Sequence, residues 1–498
     1  MHNITKGTWG TLLWPVRAHE VRKVVPLMVL KALVSFVYGI LLCMKDTLVV
    51  TAAGSGAEVI PVLKGLVVLP CSILFILLYT KLSNTYRPSS LCYGIITFFM
   101  LFFLAYSFYM FPNVERLSPH ATAAWLHSYL GPRYGYLVAV YLHWVPSCFF
   151  VIAELWGQVA IFLLFWGLAN RVCSVEEAKR GYPLMIAAGS FSFAFTGPLV
   201  SYYTTRYGAL GFAWTLKCLM MYVIGACVLI LITYWWLIRF VLTPQMHTTS
   251  CSSKELLEGE EKTALSLWQS IKYIFSSPYL LAMATTVIGC GLAINLVEVT
   301  FKANLKVLYP VRSDYQAFMA TTQTYLGILS CLTLLFLTGN LLKKFSWRWN
   351  ATVSPIVVGG TGALFFLMSY CKGYLHPLAA MFNTTPLHMV VWVGALQSLT
   401  SKVMKYSFFD ATKEMMYIPL DKEAKTKGKA VVDILGSRLG KSGSSYLHLA
   451  LLCTSATGSV LTVTMGLLPI LLFVVFCWIM AVNYMAKYVD KKEERFTR

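Results

Sequence analysis

The chain has 498 residues, of which 57% are hydrophobic and 12% charged, and its mean hydropathy is +0.65. Soluble domains carry roughly a quarter charged residues, so this composition excludes an ordinary soluble enzyme and places most of the chain in lipid. The net charge of +20 is read as basic loops on one membrane face together with a cavity suited to an anion, not as a nucleic-acid surface.

A helix needs about 20 apolar residues to cross the bilayer. By that rule the first spans fall near 24–43, 57–80, 91–111, 138–168, 182–204 and 211–240, and the 138–168 run is long enough to tilt or to extend past the membrane. A polar, charged stretch follows at 241–277. Its segment from Ser250 to Lys262 is read as solvated. A second set of spans lies near 278–300, 318–340, 350–370, 379–402, 430–453 and 459–485. The expected fold is therefore an all-α polytopic membrane protein of about twelve helices in a major-facilitator-like six-plus-six arrangement. Its parts are an N-terminal half at 1–240, a linker at 241–277 and a C-terminal half at 278–498. Lys and Arg crowd 17–23, 81–87, 171–180, 343–348, 413–429 and 487–492, which puts these loops and both termini in the cytoplasm. Trp235, Trp236 and Trp478 are expected in the interfacial belt.

The 13 cysteines are odd in number and contain no CxxC pair. Those in apolar runs, such as Cys71, Cys227, Cys290 and Cys477, read as small hydrophobes and not as disulfide partners or metal ligands. The N-terminal stretch MHNITKGTWGTLLWPVRAHEVRKVV lacks the pattern of a cleavable signal or a transit peptide, which favours a bacterial inner membrane protein.

A charge at the bilayer centre costs about 2.5 kcal/mol or more, so charges inside the spans are candidate functional residues. Lys45 and Asp46 end the first span in LLCMKDTLVV, where ammonium and carboxylate can partly compensate each other. Glu154 sits mid-span in VIAELWGQVAIFLLF. Glu298, in NLVEVTFK, shares one helix face with Asn295 and Lys302, either as a pair near the surface or as a polar stripe along a path. Lys441, in GSRLGKSGSSYLH, lies among Gly436, Gly440 and Gly443, which would let the helix bend or let a substrate approach the backbone. Arg438 stands three residues earlier and suits a phosphate contact. The same segment is not a P-loop: three residues, not four, separate Gly436 from Gly440, and no strand precedes it. Neither HExxH nor GxSxG occurs, so nothing points to hydrolytic chemistry. Cations inside such a domain suit phosphates. Carboxylates would balance the empty cavity and let the anion leave, and they could bind protons.

At these residues the chain resembles the ATP/ADP translocase family of obligate intracellular bacteria and plastids. The matching stretches are KDTLVVTAAGSGAEVIPVLK at 45–64, AELWG with FWGLAN at 153–170, INLVEVTFK at 294–302, KYSFFDATKEMMYIPLDKEAKTKGKA at 405–430 and GSRLGKSG at 436–443. The resemblance implies a twelve-helix carrier that acts as a monomer without cofactor or metal. It also implies that Lys45, Glu154, Glu298 and Lys441 are tied to nucleotide transport. The expected function is exchange of external ATP for internal ADP. The alternative is a proton-coupled importer or exchanger of other nucleoside triphosphates. Departures at Ala52-Ala53, Gly181-Tyr182 and Ser444-Ser445 bear on the choice of substrate.

Overall fold

The computed structural model describes residues 16–241, 277–338, 344–417, 432 and 436–497. The polar stretch at 242–276 and the lysines at 422–429 lie outside the described residues, so the expected linker and part of the expected basic loop are not addressed. Apart from short turns, the described residues are helical.

Twelve helical rods follow the expected order: α1 (Ala18–Val50), α2 (59–85), α3 (88–110), α4 (144–172), α5 (Val175–Tyr207), α6 (212–241), α7 (Pro278–Leu308), α8 (312–338), α9 (Trp347–Tyr370), α10 (386–416), α11 (Ser437–Thr454) and α12 (Thr464–Thr497). Nine helices among the described residues are long and apolar enough to cross a membrane. The remaining rods, α8, α10 and α11, stand where spans were expected but carry more polar residues. Interior-facing polar groups lower a helix's hydropathy without preventing it from spanning.

Two expected runs are broken by proline. The 138–168 run divides at His143 into a short helix, Gly135–Leu142, and the start of α4. Pro146 has no N–H with which to continue the first helix, and its ring would meet the Leu142 carbonyl. The 379–402 run likewise divides, into His376–Met381 and a rod that begins at Pro386, with Asn383 between them at φ 48°.

α1 packs on α4, α5 and α6, and α7 packs on α10, α11 and α12. Across the two sets of six, α5 lies on α8 and α2 on α11. Small residues make these crossings close. A Cβ on Gly197 would stand 2.5 Å from the Ala320 carbonyl oxygen, and one on Gly327 would stand 2.3 Å from the Ala194 nitrogen. Trp235 and Trp236 are exposed as expected, but Trp478 is 1% exposed, with its ring edge on Phe409 and its Cβ over Gly289. It is a core residue of the α7–α12 packing, because a glycine opposite leaves room for an indole there. Cys227 and Cys290 are buried, and Cys71 and Cys477 are half-buried.

Candidate functional site

α1 carries Lys45 and Asp46 through the interior, where they are 1% and 2% exposed. Their side chains meet at 3.1 Å, and each also holds a partner on another helix. The Lys45 ammonium lies 2.9 Å from Glu154 Oε1 on α4 and 4.3 Å from the Phe150 ring centre. Asp46 Oδ2 lies 2.8 Å from Lys302 Nζ on α7. One helical turn before Lys302, Glu298 Oε1 stands 3.1 Å from the same ammonium. Glu298 also faces Lys64 of α2 at 3.4 Å and Lys402 of α10 at 3.4 Å. Lys64 donates to Asn295 Oδ1 at 3.0 Å, and Asn295 donates in turn to the Gly291 carbonyl.

Six of the eight residues expected from the sequence therefore join one buried network: Lys45, Asp46, Glu154, Asn295, Glu298 and Lys302. The pair Glu298–Lys302 does not lie at the surface, since Lys302 is 1% exposed. Lys64 and Lys402 belong to the network although sequence reasoning missed both. Lys64 satisfied the same criterion, a charge inside an apolar run (PVLKGLVV), and could have been found. Lys402 falls at the very end of the expected 379–402 span and is not among the expected residues. With four lysines against three carboxylates, the network keeps one net positive charge.

Lys441 and Arg438 stand apart. Among the described residues neither side chain makes an ion pair, and both are half-buried. Lys441 still lies within electrostatic reach of Glu154. The glycines around it pack closely on α7. Gly440 sits against Gly291 of α7, with a Cβ on either less than or about 3.0 Å from the other's backbone, and Gly436 and Gly443 meet Val287 and Leu292. They let α11 lie on α7 backbone to backbone. On its other side α11 touches α2, where Tyr446 donates to the Gly65 carbonyl at 3.0 Å. Lys441 is thereby held beside the network without being part of it.

Three of the six π-helical segments among the described residues lie beside the network. Lys64 is inside one (Leu63–Val68), another begins three residues after Glu154 (Gly157–Phe165), and a third follows Lys402 (Lys405–Phe409). Such turns widen the helix and re-aim the side chains around them, and they recur at functional sites.

The network also fastens the two sets of helices together, through Asp46–Lys302 and Lys64–Glu298. Toward the end where residues 50–58 lie, further ties follow. Lys306 donates to the Val50 carbonyl at 3.0 Å and Arg312 to Thr51 Oγ1 at 2.9 Å. Glu58 Oε1 accepts from both Ser459 Oγ and the Val460 amide at 3.0 Å. Pairs at the opposite end, such as Lys23–Glu177 and Arg348–Asn483, join helices of one set. The cavity bordered by Glu298, Lys302, Lys402, Gln323 and Ser398 holds about 20 Å³, room for one water. Drug-sized ligands occupy pockets of roughly 300 Å³ or more, so a large anion requires the helices to part.

The nine long apolar helices among the described residues, with a charge network buried between two helical sets, define a multi-pass membrane protein. The chain shares its fold with a solved bacterial metal transporter at TM-score 0.50 and 11% identity, over 93% of this chain and 98% of that one. The chain belongs to the TLC ATP/ADP transporter family, whose family model matches residues 1–488. Among its relatives, ADP,ATP carrier protein 1 of Chlamydia muridarum is 38% identical across 97% of this chain and 91% of its own. The chloroplastic ADP,ATP carrier protein 1 of Arabidopsis thaliana is 40% identical across 94% and 74%. ADP,ATP carrier protein 1 of Rickettsia prowazekii is 32% identical across 97% of each chain.

Proposed function

We propose that the chain exchanges ATP for ADP by alternating access, with α1–α6 and α7–α12 as the two moving bodies. The observation that carries this reading is the buried lysine–carboxylate network that spans them. In the structure each network lysine rests on a carboxylate. ATP brings more negative charge than those three carboxylates hold, and ADP as much. Either can take over Lys45, Lys64, Lys302 and Lys402 and draw in Lys441, with Arg438 one turn away. Asp46–Lys302 and Lys64–Glu298 then lose their hold on the two bodies, which become free to rock. When the nucleotide leaves, Asp46, Glu154 and Glu298 reclaim the lysines. An empty carrier is thereby locked, which is what obligatory exchange requires, because the substrate must supply the free energy that separates the two states.

In this reading the chain works as a monomer in a bacterial inner membrane, with the end at residues 50–58 on the periplasmic side and both termini in the cytoplasm, an orientation that the basic loops support. The test is uptake of labelled ATP into proteoliposomes with and without internal ADP, with GTP, CTP and UTP as competitors. Stimulation by internal ADP and weak competition are the expected result. Uptake that ignores ADP and follows a proton gradient would overturn the exchange reading.

A further inference from the structure

Lys31 is a second charge on α1 that the network leaves out. It lies 14 residues before Lys45, about 21 Å along the helix at 1.5 Å per residue, and is 8% exposed. Among the described residues it makes no ion pair. Its ammonium lies 5.3 Å from the Phe165 ring centre and 5.6 Å from that of Trp166. An unpaired buried cation inside a membrane helix is costly and seldom retained without work to do.

Its position on α1 points to that work. Lys31, Tyr38 and Lys45 recur every seven residues and so share one face of α1. That face meets α4 in antiparallel register: Lys45 on Glu154, Tyr38 on Gly157, Lys31 on Phe165 and Trp166. At its Lys45 end this face adjoins the tie to α7 made through Asp46 and Lys302, and at its Lys31 end it also packs on Gly189 of α5. Lys31 continues it toward the end of α1 opposite the closed one.

We propose that Lys31 is a second anion-binding station, which receives the phosphates of a nucleotide diphosphate or triphosphate on the cytoplasmic side before they reach the Lys45 network. The rings of Phe165 and Trp166 hold the ammonium while the station is empty, in the place where Lys45 has a carboxylate. Cation–π contact is weaker than an ion pair and yields to an anion more readily. The inference rests on the carrier reading for its substrate and on the α1–α4 register for its location.

The test uses the full chain in oriented proteoliposomes, with the half-saturating nucleotide concentration measured from each side for wild type, Lys31→Met, Lys31→Gln and Lys31→Arg. The expected result is a rise of about tenfold from the cytoplasmic side for both neutral variants, the loss of one charge-assisted contact. The outer side should stay within about twofold of wild type, and Lys31→Arg should restore the inner value. Equal shifts on both sides, or a lower maximal rate with both half-saturation values unchanged, would make Lys31 a structural clamp on Phe165 and overturn the proposal. Wild-type vesicles in the same assay test the exchange reading separately: if they carry a different nucleotide, the Lys31 comparison is made with that one.

Discussion

Lys45 and Lys441 were both legible as membrane lysines, yet the structure gives them opposite surroundings. Lys45 is 1% exposed and held by Asp46, Glu154 and the face of Phe150. Lys441 is half-buried and has no ion pair among the described residues. In an interior of low dielectric, removing one member of a pair leaves its partner's charge unpaired, which is strongly destabilising, whereas removing an unpaired cation leaves nothing behind. In the proposed exchange the first kind of lysine serves the resting architecture as well as the transport path, and the second kind acts on substrate alone.

The sharpest way to break this contrast is Asp46→Asn. Asp46 is bonded to Lys45 at 3.1 Å and to Lys302 at 2.8 Å. The neutral amide leaves two buried ammonium groups short of a counter-charge and cuts a tie between the helical sets. The expected loss is about 3–5 kcal/mol of stability, read as a large fall in melting temperature in detergent, together with loss of ADP-stimulated uptake. Wild-type melting would mean that the network is not a structural lock.

Lys45→Ala should come next. It strands Glu154, whose only ion pair among the described residues is with Lys45. Adding Glu154→Gln removes the stranded charge. The double variant should recover most of the lost stability while uptake stays at background, a non-additivity expected of residues in direct contact. Two melting losses that simply add would show that the pair is not energetically coupled.

Lys441→Ala marks the other side of the comparison. Melting should stay near wild type, and the half-saturating nucleotide concentration should rise roughly 10- to 100-fold, corresponding to the ~1.5–3 kcal/mol of a charge-assisted contact. A melting loss as large as that of Lys45→Ala would erase the distinction.

The contrast also explains what could be read in advance. A charge inside an apolar run is visible in one dimension, so Lys45, Glu154 and Glu298 stood out, and periodicity placed Asn295 and Lys302 on the face of Glu298. Which helices bring these faces together is not a local property. Nothing around Lys64 in PVLKGLVV says that it meets Asn295 and Glu298 some 230 residues later. Lys402 fell at the end of an expected span, whereas the rod that carries it runs on to residue 416. The packing of the glycines near Lys441 was hidden for the same reason. Their role is set by Gly291 on a distant helix, and sequence alone offers bending and close packing as equal explanations. Trp478 was misplaced because the glycine opposite it, Gly289, lies nearly 190 residues away.

The smallest effect is expected where a lysine is paired but lies outside the membrane core. Lys23 donates to both oxygens of Glu177 at 2.9 Å and to the Val172 carbonyl at 3.1 Å, joining α1 to the start of α5. Burial pushes the Glu177 carboxyl up, but the Lys23 ammonium and the Ser174 backbone amide outweigh it and hold the group below its ordinary value. A depressed folded value stabilises above the unfolded carboxylate value of about 4.3, and that contribution is lost as pH falls through the folded one. Lys23→Ala should therefore lower stability by about 1 kcal/mol or less at neutral pH. The gap from wild type should close below pH ~4, and exchange kinetics should not change. Melting curves of both proteins between neutral and acidic pH decide it. A gap that persists in acid would mean that Lys23 acts through its contact with the Val172 carbonyl and not through charge. A gap as large as that of Asp46→Asn would mean that depth in the fold, the variable that separates these lysines, does not set the cost of unpairing them.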